Sequence, residues 1–290
     1  MLHIIYNPVA GHGRAARMRD EVEQRLAAGG AAFRFHETRS GRDARDIARS
    51  LTREAREAVD VVAMGGDGTL HEVLNGLADP AATRLGLIPC GGGNDFAAAA
   101  GIPADAAGAT ALLLRGEAKP TDYMVCGGVR GINLIGTGID VDILRRYNRQ
   151  KLRGSAGYAL ALLRALAGFR FCDFDEERGG GRIPHSAFIA CAGNGQRCGG
   201  GITLCPEARI DDGLLDIVIV DGLKKRQIPR GLAKLVQKRL TDLPGTVYRR
   251  DSALRVRARA PLPIQIDGEI YEDVPFDVHV VSGELRMFRP

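Results

Sequence analysis

Apolar runs alternate with amphipathic segments along the first part of the chain. The apolar runs have the length of buried strands, and the segments between them have the apolar spacing of helices. The predicted strands are Leu2–Tyr6, Ala32–His36, Asp60–Met64 and Leu85–Pro89. The predicted helices are Ala15–Ala28, Asp43–Val59, Leu70–Leu77 and Ala104–Arg115. Repeated strand–helix units predict an α/β domain with a mostly parallel sheet that is covered on both faces.

The pattern changes after Thr121, where short β-rich runs and glycine-rich turns dominate. The runs are Asp122–Cys126, Gly131–Gly136, Ala187–Gly193, Leu215–Val220, Leu254–Ala260, Pro263–Asp267 and Phe276–Val281. Helical patterns interrupt them at Ser155–Phe169 and Lys224–Leu240. We therefore expect a second, mainly antiparallel domain. The predicted domains are residues 1–121 and 122–290, and the last few residues are left free to return to the first domain.

Composition narrows the class of protein only a little. The 290 residues are 45% hydrophobic, as in an ordinary globular protein, and no apolar run approaches the length of a membrane span. The beginning of the chain lacks a basic segment or a cleavage site, which favours the cytoplasm. Six cysteines without C-x-x-C spacing indicate core or loop thiols. A net charge of +5 is compatible with nucleic acid, an anionic membrane or phosphorylated ligands, and does not choose among them.

Glycine-rich loops follow three of the predicted strands, at Asn7–Gly13, Gly65–Thr69 and Gly91–Asp95. In a parallel sheet these loops meet beyond the carboxyl ends of the strands, where ligands bind. Glycines let the backbone approach a ligand closely, and the N–H groups at a helix start attract phosphate. Asp67 stands in the middle of the second loop, and a carboxylate there fits a bound Mg²⁺ ion or a proton-transfer role. The loops therefore predict a nucleotide-phosphate site with a metal ion.

Two simpler interpretations of these loops stay open. A tight strand-to-helix turn with a solvated aspartate would have the same composition. Gly11–Ala16 also matches the dinucleotide-binding pattern G-x-G-x-x-A, and Glu37 lies where a ribose-binding acid would stand. Against a nicotinamide or flavin enzyme, Asn7–Ala10 lengthens the turn, and the dinucleotide pattern does not predict the Asp67 loop.

Seven motifs, in order and spacing, resemble the signatures of the diacylglycerol kinase/sphingosine kinase catalytic-domain family. They are Asn7–Gly13, Gly65–Thr69, Pro89–Phe96, Gly136–Asp140, Gly199–Gly201, Pro206–Gly213 and Ile266–Glu269. The resemblance covers nearly the whole chain and is closest to the stand-alone bacterial lipid kinases. The Gly65–Thr69 loop alone is shared with NAD kinases, so the full set carries the resemblance.

The resemblance implies an ATP-dependent lipid kinase that needs Mg²⁺. It implies an α/β ATP-binding domain at 1–121, an antiparallel β-sandwich lipid-binding domain at 122–290, and an active cleft between them. The implied nucleotide contacts are Asn7, Pro8, Ala10, Gly11, Thr38, Gly65, Gly66, Asp67, Gly68, Thr69, His71, Gly92 and Asn94. Asp67 would lie near the γ-phosphate and its Mg²⁺. Glu269, with Asp267 beside it, would be the catalytic base for the lipid hydroxyl, although Asp267-Gly268-Glu269 alone reads as an ordinary turn.

The resemblance also implies a structural metal site in the carboxylate-rich segment Asp211–Asp216. Its ligands would be the Asp212 and Asp216 side chains and the Leu214 carbonyl, since oxygen-rich loops suit Mg²⁺ or Ca²⁺. A solvated turn is the alternative.

Two departures from the family pattern leave the activity open. Gly92 stands where the family commonly has threonine, and His71 stands where asparagine is frequent. A weakened, altered or lost kinase activity is compatible with both. The departures permit, as an alternative, a non-catalytic protein that binds lipid or nucleotide. An NAD-kinase-like enzyme with a soluble substrate is a second alternative, since NAD kinases share the Gly65–Thr69 loop.

Arg230, Lys234 and Lys238 lie four residues apart on one face of the helix predicted at Lys224–Leu240. Basic amphipathic helices can rest on anionic membranes, and a solvated helix face is the alternative. We expect a cytoplasmic protein that visits the inner face of the membrane for its lipid substrate, with no transmembrane segment and no nucleic-acid partner. A homodimer stays open.

Overall fold

The computed structural model describes residues 1–53, 58–150, 152, 154–223, 227, 231, 234, 237, 242–258 and 260–290. Most of the predicted helix Lys224–Leu240, with Arg230 and Lys238, lies outside the described residues. No helix among the described residues is long and apolar enough to cross a membrane. The chain divides into a unit 1 of residues 1–123, 210–213 and 281–290 and a unit 2 of residues 124–209 and 214–280.

Unit 1 contains the predicted strand–helix repeats. Its elements are β1 (Leu2–Tyr6), α1 (Ala10–Ala28), β2 (Phe33–Glu37), α2 (Asp43–Arg53), β3 (Val59–Gly65), α3 (Asp67–Gly76), β4 (Thr83–Pro89), α4 (Asp95–Ala99) and α5 (Ala106–Arg115), with most of β5 (Ala118–Cys126) and the end of β17 (Asp277–Phe288). The strands pair in the order β17, β4, β3, β1, β2, and each of these pairs is parallel. The predicted parallel α/β domain is confirmed.

The strands β1, β3 and β4 of unit 1 are mostly apolar and mostly buried, whereas the edge strand β2 is only partly buried. β3 has six buried residues after Val59, as parallel strands covered on both faces require. Val22 and Leu26 of α1 and Leu113 of α5 pack on one face together with Phe288 of β17. This packing fixes the strand ends, and therefore also the loops that follow them.

Several helix boundaries differ from the sequence prediction. α1 begins at Ala10, but its residues 11–13 have left-handed backbone angles, and the regular helix follows them. α2 ends at Arg53, earlier than the predicted Val59. A short helix, α4, follows the third glycine loop. The spacing of apolar residues does not reveal that left-handed residues interrupt a helix. The interrupting residues are glycine or polar, and such residues also occur on the exposed face of a regular helix.

One buried carboxylate, that of Asp122, holds residues 210–213 and 281–290 to the rest of unit 1. Asp122 is 1% exposed, and its two carboxylate oxygens accept hydrogen bonds from the backbone N–H groups of Gly213 (2.7 Å) and Gly283 (2.9 Å). The Asp122 N–H in turn donates to the Ile210 carbonyl at 2.7 Å. Unpaired buried backbone groups are costly, so this carboxylate stabilises the return of residues 210–213 and 281–290 to unit 1.

Unit 2 is a mainly antiparallel β-structure. Its elements are the end of β5, β6 (Val129–Gly131), β7 (Leu134–Gly138), α6 (Ile139–Arg149), α7 (Gly154–Gly168), β8 (Cys172–Arg178), β9 (Gly181–Gly193), β10 (Arg197–Cys198), β11 (Ile202–Thr203), β12 (Leu215–Asp221), β13 (Thr246–Asp251), β14 (Ala253–Ala258), β15 (Ile264–Ile266), β16 (Glu269–Tyr271) and the start of β17. One run of strands pairs in the order β16, β15, β7, β9, β8, β14, and β12 joins β9 to β13. These pairs are antiparallel, and the predicted antiparallel β-sandwich is confirmed.

Two apolar cores stabilise unit 2. One lies among the strands and includes Phe174, Ile217 and Ile266. The other packs α6 and α7 against the sheet through Ile143, Ala161 and other apolar side chains. The sequence pattern predicted α7 at Ser155–Phe169 but missed α6, whose charged residues and preceding glycines resemble a turn.

Candidate active site

The three glycine loops of unit 1 lie side by side at one edge of its sheet. β1, β3 and β4 are adjacent parallel strands, so the loops after Tyr6, Met64 and Pro89 leave the same edge. The Asn7 N–H donates to the Met64 carbonyl at 3.0 Å, and the Cys90 N–H donates to the Gly65 carbonyl at 2.7 Å. The sequence prediction that these loops converge is met by the geometry of the sheet.

The loops touch backbone to backbone, which only glycine allows. Gly11 has a φ of 59°, and a Cβ atom on it would lie 1.9 Å from the Cys90 carbonyl oxygen. A Cβ atom on Gly91 would lie 2.6 Å from the Gly66 Cα. Because real atoms cannot approach so closely, a side chain at Gly11 or Gly91 would force the loops apart.

Two asparagines hold the loops in this arrangement. The Asn7 side chain accepts from the Val9 N–H at 3.2 Å and donates to the Thr69 hydroxyl at 3.3 Å, which joins the first loop to α3. Asn94 has a left-handed φ of 52°. Its amide exchanges two hydrogen bonds of 2.9 Å with the backbone of Gly91, which closes the third loop. The backbone N–H groups near the edge are therefore fixed in place before any ligand binds.

Asp67 lies at the first turn of α3, and its carboxylate faces the start of α4. Its Oδ2 accepts from the Asp95 N–H and its Oδ1 from the Phe96 N–H, both at 3.3 Å. Both distances are long for hydrogen bonds of this kind. The Asp67 side chain is partly exposed at this edge of the sheet.

The remaining predicted nucleotide contacts differ in how much surface they offer. Pro8, Ala10, Gly11 and Gly66 are partly exposed, while Gly68 and Gly92 are exposed; these can reach a ligand. Gly65, Thr38, Thr69 and His71 are buried; Thr38 is 8% exposed and His71 is 3% exposed. The His71 ring lies inside unit 1, 3.5 Å from the Asn75 amide. No ligand tests these contacts, and they stay predictions.

Gly92 differs from its glycine neighbours because nothing lies within 4 Å of a Cβ atom built on it. Its φ is also outside the left-handed region. The backbone there would accept a threonine, the residue common in the family, without strain. The departure at Gly92 removes a hydroxyl group and leaves the loop geometry intact.

In unit 2, Asp267 and Glu269 belong to the tight hairpin between β15 and β16. Ile266 pairs with Glu269, and the two turn residues have positive φ, 51° at Asp267 and 92° at Gly268. Asp-Gly is a preferred pair for such a turn. Glu269 is exposed at the start of β16. The backbone of Asp267-Gly268-Glu269 is therefore that of an ordinary hairpin turn. This conformation does not decide the role of Glu269.

The Asp267 carboxylate is a hub of backbone hydrogen bonds. It accepts from three successive N–H groups, those of Ile132 (2.9 Å), Asn133 (2.9 Å) and Leu134 (3.1 Å). Its own N–H donates to the Leu134 carbonyl at 2.9 Å. Asp267 thus fixes the hairpin that carries Glu269 to the start of β7.

Sequence reasoning missed the asparagines around this hub, Asn133 and Asn194. They are 6% and 0% exposed. Two sequence features could have pointed to them. Asn133 lies between the apolar residues Ile132 and Leu134, and Asn194 lies between two glycines after β9. Buried asparagines need hydrogen-bond partners, but a single sequence does not show that they are buried.

The predicted metal ligands are divided between the units, since Asp212 belongs to unit 1 and Leu214 and Asp216 to unit 2. Asp216 is 0% exposed; its Oδ1 accepts from the Tyr248 hydroxyl, and its Oδ2 lies 3.6 Å from Arg250 Nε. Burial raises the pKa of Asp216 above its usual value, and the Tyr248 hydrogen bond opposes only part of this rise. Among the described residues no group of three or more His, Cys, Asp or Glu side chains could hold a metal ion. The site stays a prediction.

A second buried carboxyl group lies on α6. Asp140 belongs to the motif Gly136–Asp140 and is 8% exposed. Burial raises its pKa to about 6, and the neighbouring Val141 backbone and Gln265 side chain oppose only part of this rise. Asp140 forms part of the wall of an apolar pocket of about 60 Å³, together with Ile139, Ile143 and Phe188.

On the other side of α6 lies a larger and more polar cavity of about 640 Å³. Its walls include Arg145, Arg146 and Phe169. Arg145 forms an ion pair with Glu272 at 2.5 Å. Unit 2 therefore has an apolar pocket and a charged cavity that are separated by one helix.

Comparison with known proteins identifies the family. The model described as diacylglycerol kinase catalytic domain matches residues 1–126, and the model described as YegS C-terminal NAD kinase beta sandwich-like domain matches residues 133–289. The chain belongs to the diacylglycerol kinase catalytic-domain family. The predicted resemblance to the stand-alone bacterial lipid kinases is confirmed.

Relatives and a solved structure agree with this assignment. A "Probable lipid kinase YegS-like" protein of Xanthomonas campestris is 37% identical over 79% of this chain and 78% of its own length. One from Pseudomonas aeruginosa is 35% identical over 84% and 81%. A crystal structure of a diacylglycerol kinase-like protein from Bacillus anthracis has a TM-score of 0.80, with 23% identity over 100% of this chain and 96% of that one. That structure supports the fold of this family member.

The contact between Gly11 and Cys90 predicts unequal effects of alanine substitution in the loops. Gly11→Ala should lower the free energy of unfolding by about 2 kcal/mol or more, because it adds a left-handed alanine and a clash with the Cys90 carbonyl. Gly92→Ala should change it by less than about 0.5 kcal/mol, since its Cβ meets open space. Urea unfolding followed by circular dichroism measures both; equal losses would contradict the geometry.

Asp140 predicts a pH-dependent stability of unit 2. Its pKa is about 6 in the folded chain against 3.8 for an ordinary aspartate, so protonation favours folding. Its stabilising effect is greatest below about pH 4 and is lost as the pH rises through 6, by up to about 3 kcal/mol. Asp140→Asn should therefore stabilise the protein more at pH 8 than at pH 4.5. Urea unfolding at both values tests this, with Asp142→Asn as the control; an equal effect at both pH values would contradict it.

Proposed function

We propose that this lipid kinase transfers the γ-phosphoryl group of ATP to a hydroxyl group of a lipid, diacylglycerol or a related lipid. The observation that carries the proposal is the backbone contact of the loops at Gly11–Cys90 and Gly66–Gly91. It holds the N–H groups of the loops and of the first turn of α3 at one edge of the sheet. Fixed N–H groups at a helix start are a favourable site for phosphate.

Cationic side chains near the first loop support phosphate binding. Arg14 and Arg17 begin the regular part of α1, and Arg17 donates to the carbonyl of His12 at 3.3 Å. Both side chains belong to the segment that directly follows the left-handed residues 11–13. Their positive charge lowers the energy of an anionic ligand at this loop.

Asp67 fits the role of a Mg²⁺ ligand in this proposal. Its carboxylate is partly exposed beside the glycine loops. Oxygen ligands of this kind are what Mg²⁺ prefers. Bound there, the ion would neutralise phosphate charge during the transfer. The protein's own contribution is to hold the carboxylate beside the glycine loops.

Glu269 is the proposed general base. Its carboxylate is exposed on a hairpin whose turn is fixed by Asp267, so that it can accept a proton without a change in the backbone. As the lipid oxygen forms its bond to the γ-phosphorus, the bond from that phosphorus to the bridging oxygen breaks and ADP leaves. The hydroxyl proton goes to Glu269. In this scheme Asp267 orients the base.

The acceptor is proposed to be a lipid because of the family and because unit 2 offers apolar surface. The pocket beside α6 is lined by apolar side chains such as Ile143, Leu162 and Phe188, with little polar surface. Its volume of about 60 Å³ accommodates only part of an acyl chain, so neighbouring side chains must move when a lipid binds. An NAD-sized polar acceptor would gain little from such a lining.

Transfer of labelled phosphate from ATP to a panel of lipids in mixed micelles tests the proposal. We expect Mg²⁺-dependent phosphorylation of at least one glycerol- or sphingoid-based lipid hydroxyl and none of NAD. Glu269→Gln and Asp67→Asn should each lower kcat by about 100-fold or more, because each removes a group that acts in the transfer.

Matched controls separate these effects from changes in surface charge. Glu117→Gln removes an exposed carboxylate in unit 1, and Asp20→Asn removes another on α1; both should retain full activity. Transfer to NAD but to no lipid would favour the soluble-substrate enzyme. ATP binding without transfer to any acceptor would favour a binding protein.

A further inference from the structure

Two buried asparagines in unit 2 join neighbouring loops by reciprocal hydrogen bonds. Asn133, between β6 and β7, donates from Nδ2 to the Arg197 carbonyl at 2.7 Å. Asn194, after β9, donates from Nδ2 to the Ile132 carbonyl at 2.8 Å. The N–H groups of Asn194 and Gly195 both donate to the Asn133 carbonyl, at 2.9 and 2.8 Å. We call Asn133 and Asn194 the asparagine clasp.

The clasp holds the backbone on which Asp267 depends. The N–H groups of residues 132–134 all point to the Asp267 carboxylate. The carbonyl groups of Ile132 and Asn133 are bound by the loop after β9. The segment 132–134 is therefore fixed from both sides, and its three donors cannot turn away from Asp267 unless the clasp opens.

A second contact connects the same hairpin to the sheet. The Gly268 N–H donates to the Gln265 side chain at 2.8 Å, and Gln265 is 4% exposed. Gly268 lies between Asp267 and Glu269. The turn is thus held at Asp267 by the segment 132–134 and at Gly268 by the Gln265 side chain. These contacts fix the position of the backbone from which the Glu269 side chain extends.

The asparagine clasp includes one buried polar atom that lowers the stability of the fold. The Asn133 Oδ1 atom is buried and has no hydrogen-bond partner among the described residues. A buried acceptor without a donor costs about 1–3 kcal/mol. An apolar residue of similar size would avoid that cost but could not hold the Arg197 carbonyl. The side chain is therefore better explained by the position it imposes than by the stability it adds.

We propose that Asn194, whose side chain holds the Ile132 carbonyl within the clasp, is a positioning residue that fixes the Asp267 hairpin and so aims Glu269 at the lipid hydroxyl. The inference rests on the proposed function, in which Glu269 is the base. Asn194 touches no reacting atom in this scheme. Its effect on the reaction passes entirely through the hairpin.

A double-mutant cycle on lipid phosphorylation tests the inference. Asn194→Ala removes the donor to the Ile132 carbonyl and should lower kcat by about 10- to 100-fold, because small misplacements of a catalytic group have effects of this size. The KM for ATP should not change, since the glycine loops belong to unit 1. In the Glu269→Gln background, Asn194→Ala should have no further effect on kcat, because the group that it positions is already absent.

Controls keep the outcomes distinct. Asn148→Ala removes an exposed asparagine of α6 and should change neither kcat nor KM. If Asn194→Ala does not fold, Asn194→Ser, which keeps a hydroxyl donor, replaces it in the cycle. Multiplicative losses in the double mutant, or an unchanged kcat in the single mutant, would overturn the positioning role. Full activity of Glu269→Gln alone would instead overturn the proposed base, which is a separate failure.

Discussion

The backbone contact between Gly11 and the Cys90 carbonyl is the constraint on which the arrangement of unit 1 depends. It requires a left-handed residue without a side chain in the first loop, Asn7–Gly13, and it sets how closely the first and third loops approach. Gly66 and Gly91 repeat the same contact between the second and third loops. Because these loops leave three adjacent parallel strands, the contacts determine where the N–H groups lie. Phosphate recognition in this account follows from backbone geometry more than from side-chain charge.

The two carboxylates that the sequence predicts to be functional, Asp67 and Asp267, also accept hydrogen bonds from the backbone. Asp67 binds the N–H groups at the start of α4, and Asp267 binds three successive N–H groups before β7. A group that is held in this way keeps its place before a ligand arrives, which is what preorganised catalysis requires. The two acids differ in their surroundings, since Asp67 is partly exposed beside the loops and Asp267 supports the exposed Glu269.

Much of the fold could be predicted because its signals are local. Apolar runs gave the strands of unit 1, and glycines after them gave the loops. The left-handed turn at Gly11–Gly13 could not be predicted, since His12 carries no sign of a positive φ. α6 was missed because Asp140 and Asp142 follow a glycine-rich strand end. The clasp of Asn133 and Asn194 joins residues 61 positions apart, and such pairs become visible only when the chain is folded.

Hydrogen–deuterium exchange of the backbone amides, with and without ATP and Mg²⁺, tests the central claim most directly. If the contacting glycine loops bind the phosphates, amides in the segments 65–70 and 91–96 should exchange more slowly with ATP, and Gly11→Ala should abolish that protection. Saturating ATP that protects neither segment, or that protects both equally in the Gly11→Ala variant, would contradict the account.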